Sequence, residues 1–359
     1  MEVLFVSKNI KISSHKGIYE VNFTQNWSQT LKDYDLESTF FIIDSSIADL
    51  YKKPLENIFN NKYYLIEANE KNKSLEKFPG YLEDLINLGL KRGNKLVAIG
   101  GGITQDISCF LASTMFRGLD WDFYPTTLLA QSDSCIGSKS SINSGNIKNI
   151  LGTFTPPKKI ILDVNFLQTL DKKDICSGIG EMIKVHAIDS PESFNEINLS
   201  YDDILNEMES MERFIYASLK FKKKLIELDE FDTGPRNVMN YGHSFGHAIE
   251  TATNYQIPHG IAVTIGMDMA NFVASKLGVT TPSHFRRMHK LLDKNCLIYR
   301  ETYIDSELLL NALSKDKKNT SSQFRLILPN SDGEISIGLH DKSSELEDAV
   351  REYCKSHHS

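Results

Sequence analysis

In the first half of the chain, short apolar runs alternate with longer segments in which apolar residues return every third or fourth position. The runs at 40–43, 64–66, 96–99, 122–124 and 160–162 are brief and flanked by polar or turn-forming residues, which predicts buried strands. Segments 75–90 and 103–115 carry the helical period instead. Strand and helix in alternation predict an α/β domain with a Rossmann-like, mostly parallel sheet. Residues 138–157 break this rhythm with Ser, Asn, Gly and the pair Pro156-Pro157, and read as an ordered loop.

Beyond Thr169 the pattern turns helical, with segments at 174–188, 202–208, 211–228, 239–254, 260–277, 282–292 and 306–313. An apolar stretch at 324–328 predicts a strand paired with 334–337 across a turn at 330–333, and a charged helix closes the chain. The expected division is therefore an α/β cofactor-binding domain over 1–168 and an α-helical metal- and substrate-binding domain over 169–359.

Composition narrows the partners. Forty Lys and Arg against 47 Asp and Glu give a net charge of −7, and no basic block occurs, which argues against nucleic acid and anionic membranes. With 41% hydrophobic and 24% charged residues the chain has ordinary globular usage. No run of 18 apolar residues and no secretory leader is evident, so a cytoplasmic protein is expected. Cys109, Cys135, Cys176, Cys296 and Cys354 are scattered without C-x-x-C spacing, which fits reduced thiols rather than disulfides or a thiolate metal site.

Two segments carry candidate chemistry. Strand 96–99 runs into Gly100-Gly101-Gly102 and then a helix, a turn that lets backbone N–H groups approach a pyrophosphate; a tight turn without ligand is the competing reading. Thr126 and Thr127 follow a second strand end, and Asp44 ends another, suited either to ribose hydroxyls or to a helix N-cap. In the helical half, His243 and His247 lie four apart on one helix face, His259 follows after Pro258, and Glu181 offers a carboxylate. One carboxylate with two or three imidazoles is a plausible zinc set. Asp133, Lys139, Lys148, Asn149, Lys184, Lys222, Arg236, Lys317 and Lys318 supply polar and basic groups which, if they converge, would trap an anion. Arg236 is a two-pronged donor suited to a carboxylate, and Asn240 shares its helical face if the helix begins that early.

These residues resemble the 3-dehydroquinate synthases and related sugar-phosphate cyclases over most of the chain from about Asp44 to Lys318. The likeness is densest in Gly100-Gly101-Gly102-x-x-x-Asp106, Phe116-Arg117-Gly118, Pro125-Thr-Thr-Leu-Leu-Ala-Gln131-x-Asp133, Gly137-Ser-Lys139, Lys148-Asn149-x-x-Gly152-x-Phe154, Glu181-Met-Ile-Lys184, Asp229-Glu230, Arg236-x-x-x-Asn240-x-Gly-His243 and His259-Gly260. The resemblance implies a divalent metal, zinc with cobalt as the alternative, on Glu181, His243 and His259, with His247 as a nearby catalytic group. It implies NAD contacts from Asp44, Glu70, Lys73, Gly101, Gly102, Asp106, Thr126, Thr127, Lys139, Lys148 and Thr169. Substrate contacts would fall to Asp133, Lys139, Asn149, Lys184, Lys222, Arg236, Asn240 and Lys317 or Lys318, with Arg117 reaching across a homodimer interface.

The implied reaction converts 3-deoxy-D-arabino-heptulosonate 7-phosphate into 3-dehydroquinate and phosphate, a step of the shikimate pathway, with NAD used and regenerated. Gln105 stands where the family usually has glycine, Ser138 likewise, and Ser140-Ser141-Ile142 replaces a more typical small residue and valine. The alternatives are a paralogous cyclase acting on sedoheptulose 7-phosphate or another sugar phosphate, a metal-dependent NAD(P) alcohol dehydrogenase, and a non-catalytic binding protein.

Overall fold

A computed structural model describes residues 8–145, 147–316 and 318–357. The described residues up to Leu170 form one compact unit together with Lys222–Phe231; Asp171–Phe221 and the described residues from Asp232 onward form the other. The end of the long Met208–Leu228 helix thus belongs to the first unit, an excursion absent from a linear division of the chain.

Among its described residues the first unit has nine strands: β1 (Asn9–Ser14), β2 (Gly17–Phe23), β3 (Thr39–Asp44), β4 (Tyr63–Ile66), β5 (Lys95–Gly100), β6 (Trp121–Pro125), β7 (Ile142–Ser144), β8 (Ile147–Leu151) and β9 (Lys159–Leu162). Seven of them form one sheet in the order β1-β2-β9-β6-β5-β3-β4. All its pairings are parallel except β1 with β2. The five expected strands are all present and extend by one or two residues. Phe40, Phe41, Ile42 and Ile43 are fully buried, as a strand covered on both faces requires.

The direction of winding reverses between β3 and β5, since β3 leads to β4 on one side and β5 to β6 on the other. Ligands of open α/β sheets bind outside the carboxyl ends of the strands at such a point. Asp44 ends β3 there and Gly100 ends β5, with Ile43 opposite Ile99 in register.

Two expectations for this unit need correction. The segment read as a loop contains the β7–β8 hairpin, whose strands of three and five residues are too short to show a period. The helix read over 75–90 is a 3₁₀ turn, Leu75–Lys77, followed by the shorter helix Phe78–Asn87.

The second unit is helical, with Lys172–Asp189, Pro191–Leu199, Tyr201–Asn206, most of Met208–Leu228, His243–Ala252, His259–Lys276, Pro282–Cys296, Ser306–Ser314 and Ser344–His357. Gln323–Pro329 and Ile335–Asp341 pair antiparallel as expected, with Ile327 opposite Ile337. Pro191–Leu199 escaped the sequence reading although Ser190 caps it and Pro191 opens it. The helix read over 239–254 begins only at His243: Pro235–Asn240 is a 3₁₀ turn, Tyr241 is extended, and Gly242 is left-handed with φ +78°. Arg236 and Asn240 therefore do not share an α-helical face. Among the described residues no helix is long and apolar enough to cross a membrane.

Candidate active site

In the helical unit, glycines bring three helices to backbone contact. A Cβ added to Gly260 would lie 1.9 Å from the Ser177 carbonyl oxygen, and one on Gly266 would lie 2.2 Å from that of Gly242. Only residues without side chains allow such approach. The first contact sets Glu181, next to Gly180, against His259, next to Gly260; the second sets the helix of His243 and His247 against the same partner helix.

The functional atoms then converge. Ligand-capable nitrogens of His243, His247 and His259 all lie within 4.8 Å of one another. Glu181 is 1% exposed, and its Oε1 lies 3.8 Å from His243 Nε2 and 3.6 Å from His259 Nε2. That oxygen accepts no hydrogen bond. The other carboxylate oxygen accepts from Lys184 Nζ one helical turn on, a pair buried from solvent. A buried carboxylate oxygen without a donor, facing imidazole nitrogens, is the donor set a divalent cation satisfies. Two imidazoles and a carboxylate suit a divalent cation by their donor chemistry.

Burial pushes His243 well below the ordinary histidine range, helped by Lys184, and His247, although exposed at one side, is lowered by desolvation and by His259, so both favour the neutral form in which a ring nitrogen can ligate or take a proton. Burial also works against charge on His259, but Glu250 and Glu181 outweigh it and raise that group. Arg236 is buried in the 3₁₀ turn, Asn240 is half-buried at its end, and Lys318 is exposed. Lys317 lies outside the described residues.

The sheet unit gathers a separate set. Gly101 caps the Gly102–Thr114 helix, and a Cβ on Gly100 would meet Thr104 at 2.5 Å while one on Gly101 would meet Thr127 at 2.9 Å. The turn itself thus requires the first two glycines. Gly102 has only Ser134 Oγ, at 3.8 Å, so its approach is open. Thr126 donates its N–H to the Gly100 carbonyl, which holds the two threonines at this turn. Asp44 caps the next helix by accepting from Ser46 N at 2.9 Å, and burial raises its carboxyl; the N-cap reading of the sequence holds. Thr169 is exposed and lies 3.4 Å from the Tyr51 hydroxyl.

Lys73 is buried and donates to Asp106 at 3.1 Å and to Asn149 Oδ1 at 3.0 Å, with Glu70 3.7 Å away. Burial pushes Asp106 up to about 6 against the pull of Lys73. Asn149, implied as a substrate contact, thus sits with residues implied to meet the cofactor. Lys222 reaches Asp133 Oδ1 at 2.6 Å and its carbonyl at 2.7 Å. Lys139 and Lys148 are exposed.

Three further residues make contacts that the sequence did not predict. Glu250, within the histidine motif, meets His259 Nδ1 at 3.3 Å. Gln105 donates to the Ser134 carbonyl at 2.6 Å and accepts from its hydroxyl at 2.7 Å, tying the glycine-turn helix to the segment of Asp133. Ser138, at φ +68°, donates to Glu230 at 2.6 Å. Gln105 and Ser138, which stand where the family usually has glycine, therefore make hydrogen bonds that glycine lacks.

A parallel sheet with a glycine turn at its switch point and a helical unit with a carboxylate–imidazole cluster define a nucleotide- and metal-binding class of enzyme fold. Residues 63–177 match the 3-dehydroquinate synthase N-terminal family and residues 178–319 the 3-dehydroquinate synthase C-terminal family. A 3-dehydroquinate synthase of Thermoanaerobacter sp. (strain X514) is 34% identical over 93% of this chain and 96% of its own length. The chain belongs to the 3-dehydroquinate synthase family.

Solved structures share the fold. A 2-deoxy-scyllo-inosose synthase complexed with carbaglucose-6-phosphate, NAD+ and Co2+ has a TM-score of 0.82 at 21% identity, covering 96% of this chain and 100% of its own. The 2-epi-5-epi-valiolone synthase of Streptomyces hygroscopicus subsp. jinggangensis 5008, with NAD+ and Zn2+ bound, has a TM-score of 0.82 at 24% identity, covering 94% and 97%.

Proposed function

We propose that this chain is a 3-dehydroquinate synthase: a phosphate-eliminating cyclase that converts 3-deoxy-D-arabino-heptulosonate 7-phosphate into 3-dehydroquinate and phosphate, using NAD and a divalent metal. The family match over both halves supports the reaction. The observation that carries the site is the buried Glu181 oxygen, without a donor, facing His243 and His259.

Glu181, His243 and His259 would hold the metal, with zinc the reading the donor set favours. Gly101, Gly102, Asp44, Thr126, Thr127, Glu70, Lys73, Asp106, Lys139, Lys148 and Thr169 would hold NAD, with the glycine turn at the switch point, and Lys139 would also contact substrate. When bound, NAD supplies a transient hydride acceptor and the metal an electrophile for substrate oxygens.

The chain's own residues position and neutralise the substrate. Lys184, held by Glu181, keeps a buried positive charge beside the metal ligands for an anionic group. Arg236 offers a planar fork to a carboxylate, and Asn240 an amide to hydroxyls. Neutral His247 accepts and returns a proton. Lys222 fixes Asp133, whose carboxylate faces substrate hydroxyls in this reading.

The working form is proposed to be a cytoplasmic homodimer in which Arg117 reaches the second copy. Phe116 and Arg117 both adopt positive φ, 53° and 69°, a costly turn at which Arg117 is exposed. Product analysis on a panel of sugar phosphates tests the function: the carboxylated heptulosonate phosphate gives 3-dehydroquinate, and preferential turnover of sedoheptulose 7-phosphate contradicts the reading. Sedimentation at micromolar concentration tests the dimer.

A further inference from the structure

We infer that Glu250 is a positioning residue for His259, fixing which ring nitrogen that imidazole turns toward the metal; this rests on the reading of Glu181, His243 and His259 as the metal site. Glu250 is mostly buried and its Oε1 lies 3.3 Å from His259 Nδ1. The other nitrogen, Nε2, lies 3.6 Å from Glu181 Oε1. The two nitrogens of one imidazole are thus divided between two carboxylates.

A neutral imidazole has one N–H and one lone pair, and an ionised carboxylate only accepts. Ligation requires the neutral imidazole, and in that form the proton belongs on Nδ1, donated to Glu250, which leaves the Nε2 lone pair pointed toward Glu181. In that neutral form two acceptors face one another across 3.6 Å, a repulsion that either a bound cation or a second ring proton relieves. His243 is arranged alike: its Nδ1 lies 3.3 Å from the Tyr241 carbonyl and its Nε2 lies 3.8 Å from Glu181 Oε1. Both imidazoles present Nε2 to the same carboxylate, one fixed by a backbone carbonyl and the other by Glu250.

The sequence builds this economically. Glu250 follows His243 by seven residues and His247 by three, so one helix face carries all three groups. The His243–Ala252 helix thereby supplies one ligand itself and orients another that stands on the His259–Lys276 helix, against which Gly246 and Gly266 pack it. A carboxylate on the far nitrogen also makes an imidazole a stronger metal ligand.

The test is Zn2+ affinity, measured by competition with a chromophoric chelator, for the wild type, Glu250→Gln, Glu250→Ala, His243→Ala and His259→Ala. Glu250→Ala is expected to bind roughly 10- to 100-fold more weakly. Glu250→Gln should fall between it and the wild type, because the amide oxygen still accepts from Nδ1 but without charge. The Co2+ absorption spectrum should shift in both, while the melting temperature of metal-free Glu250→Gln stays at the wild-type value. Wild-type Zn2+ affinity in both Glu250 variants, with affinity lost in His259→Ala, overturns the role of Glu250 alone. Wild-type affinity in His243→Ala and His259→Ala overturns the metal site and this inference with it. If Glu250→Ala does not fold, the isosteric Glu250→Gln decides.

Discussion

Gly180 faces Gly260 so closely that a Cβ on Gly180 would stand 2.3 Å from the Gly260 carbonyl oxygen. Each glycine is the sequence neighbour of a proposed ligand, Glu181 and His259. The helix crossing and the ligand spacing are therefore set by one contact. Gly260→Ala should force the helices apart, cost about 1–3 kcal/mol by overpacking, and weaken metal binding beyond what that loss of stability explains. Gly80→Ala, in the Phe78–Asn87 helix with nothing within 4 Å of the new methyl, is the control and should leave stability unchanged or raise it. Thermal unfolding and metal titration of the two variants check this.

Removing a ligand should separate metal loss from unfolding. His243 is the first residue of its helix, and its mostly buried ring packs against His247 and His259, so His243→Ala removes a group of the polar cluster and no apolar core side chain. The variant should keep the wild-type circular dichroism spectrum while losing bound metal and turnover, and chelation of the wild type should abolish turnover reversibly. Elemental analysis of the purified variant at full metal content would contradict the assignment.

Substrate choice is expected to rest on Arg236. Arg236→Lys removes the planar fork from a buried position and should lower kcat/KM for the carboxylated heptulosonate phosphate by the equivalent of about 1–3 kcal/mol. Substrates without a carboxylate should be affected little. An equal loss on both would mean that Arg236 holds the 3₁₀ turn and not the substrate.

A pH effect on stability should come from His284, away from the metal ligands. Burial, with Arg287 beside it, pushes its pKa down to about 4. Its Nδ1 lies 3.3 Å from the Arg287 guanidinium and against Gly333. The folded state then holds fewer protons here than the unfolded chain between the ordinary histidine value and about 4, so stability falls as pH drops through that window. The contribution is on the order of 1–2 kcal/mol after solvent screening. Urea unfolding of the wild type and His284→Gln across that range should show a shallower decline in the variant.

The parallel sheet was legible because buried strands such as β3 are continuous apolar runs, and the helices because their faces repeat. The β7–β8 hairpin was not, since its strands are too short to show a period, β8 is exposed despite its isoleucines, and β7 is held by a bond to a distant segment, Asn143 N to the Lys73 carbonyl at 3.0 Å. The break at Tyr241–Gly242 was equally hidden: glycine alone does not announce a left-handed φ, and the reason for it is the close approach of Gly266. Within the site, the histidine spacing and the family motifs pointed to the cluster. They could not show that Glu250 meets His259, that Asn149 sits with Lys73 and Asp106, or that Gln105 grips Ser134, because those contacts depend on how separate elements pack.

The central claim is that NAD turns over within a phosphate elimination and is not consumed. Phosphate release from 3-deoxy-D-arabino-heptulosonate 7-phosphate should be followed with NADH absorbance in the same cuvette, with the metal-loaded protein and NAD far below substrate. The account predicts many phosphates per NAD, 3-dehydroquinate as product, and no steady accumulation of NADH. One NADH formed per turnover, or no phosphate release, would contradict it.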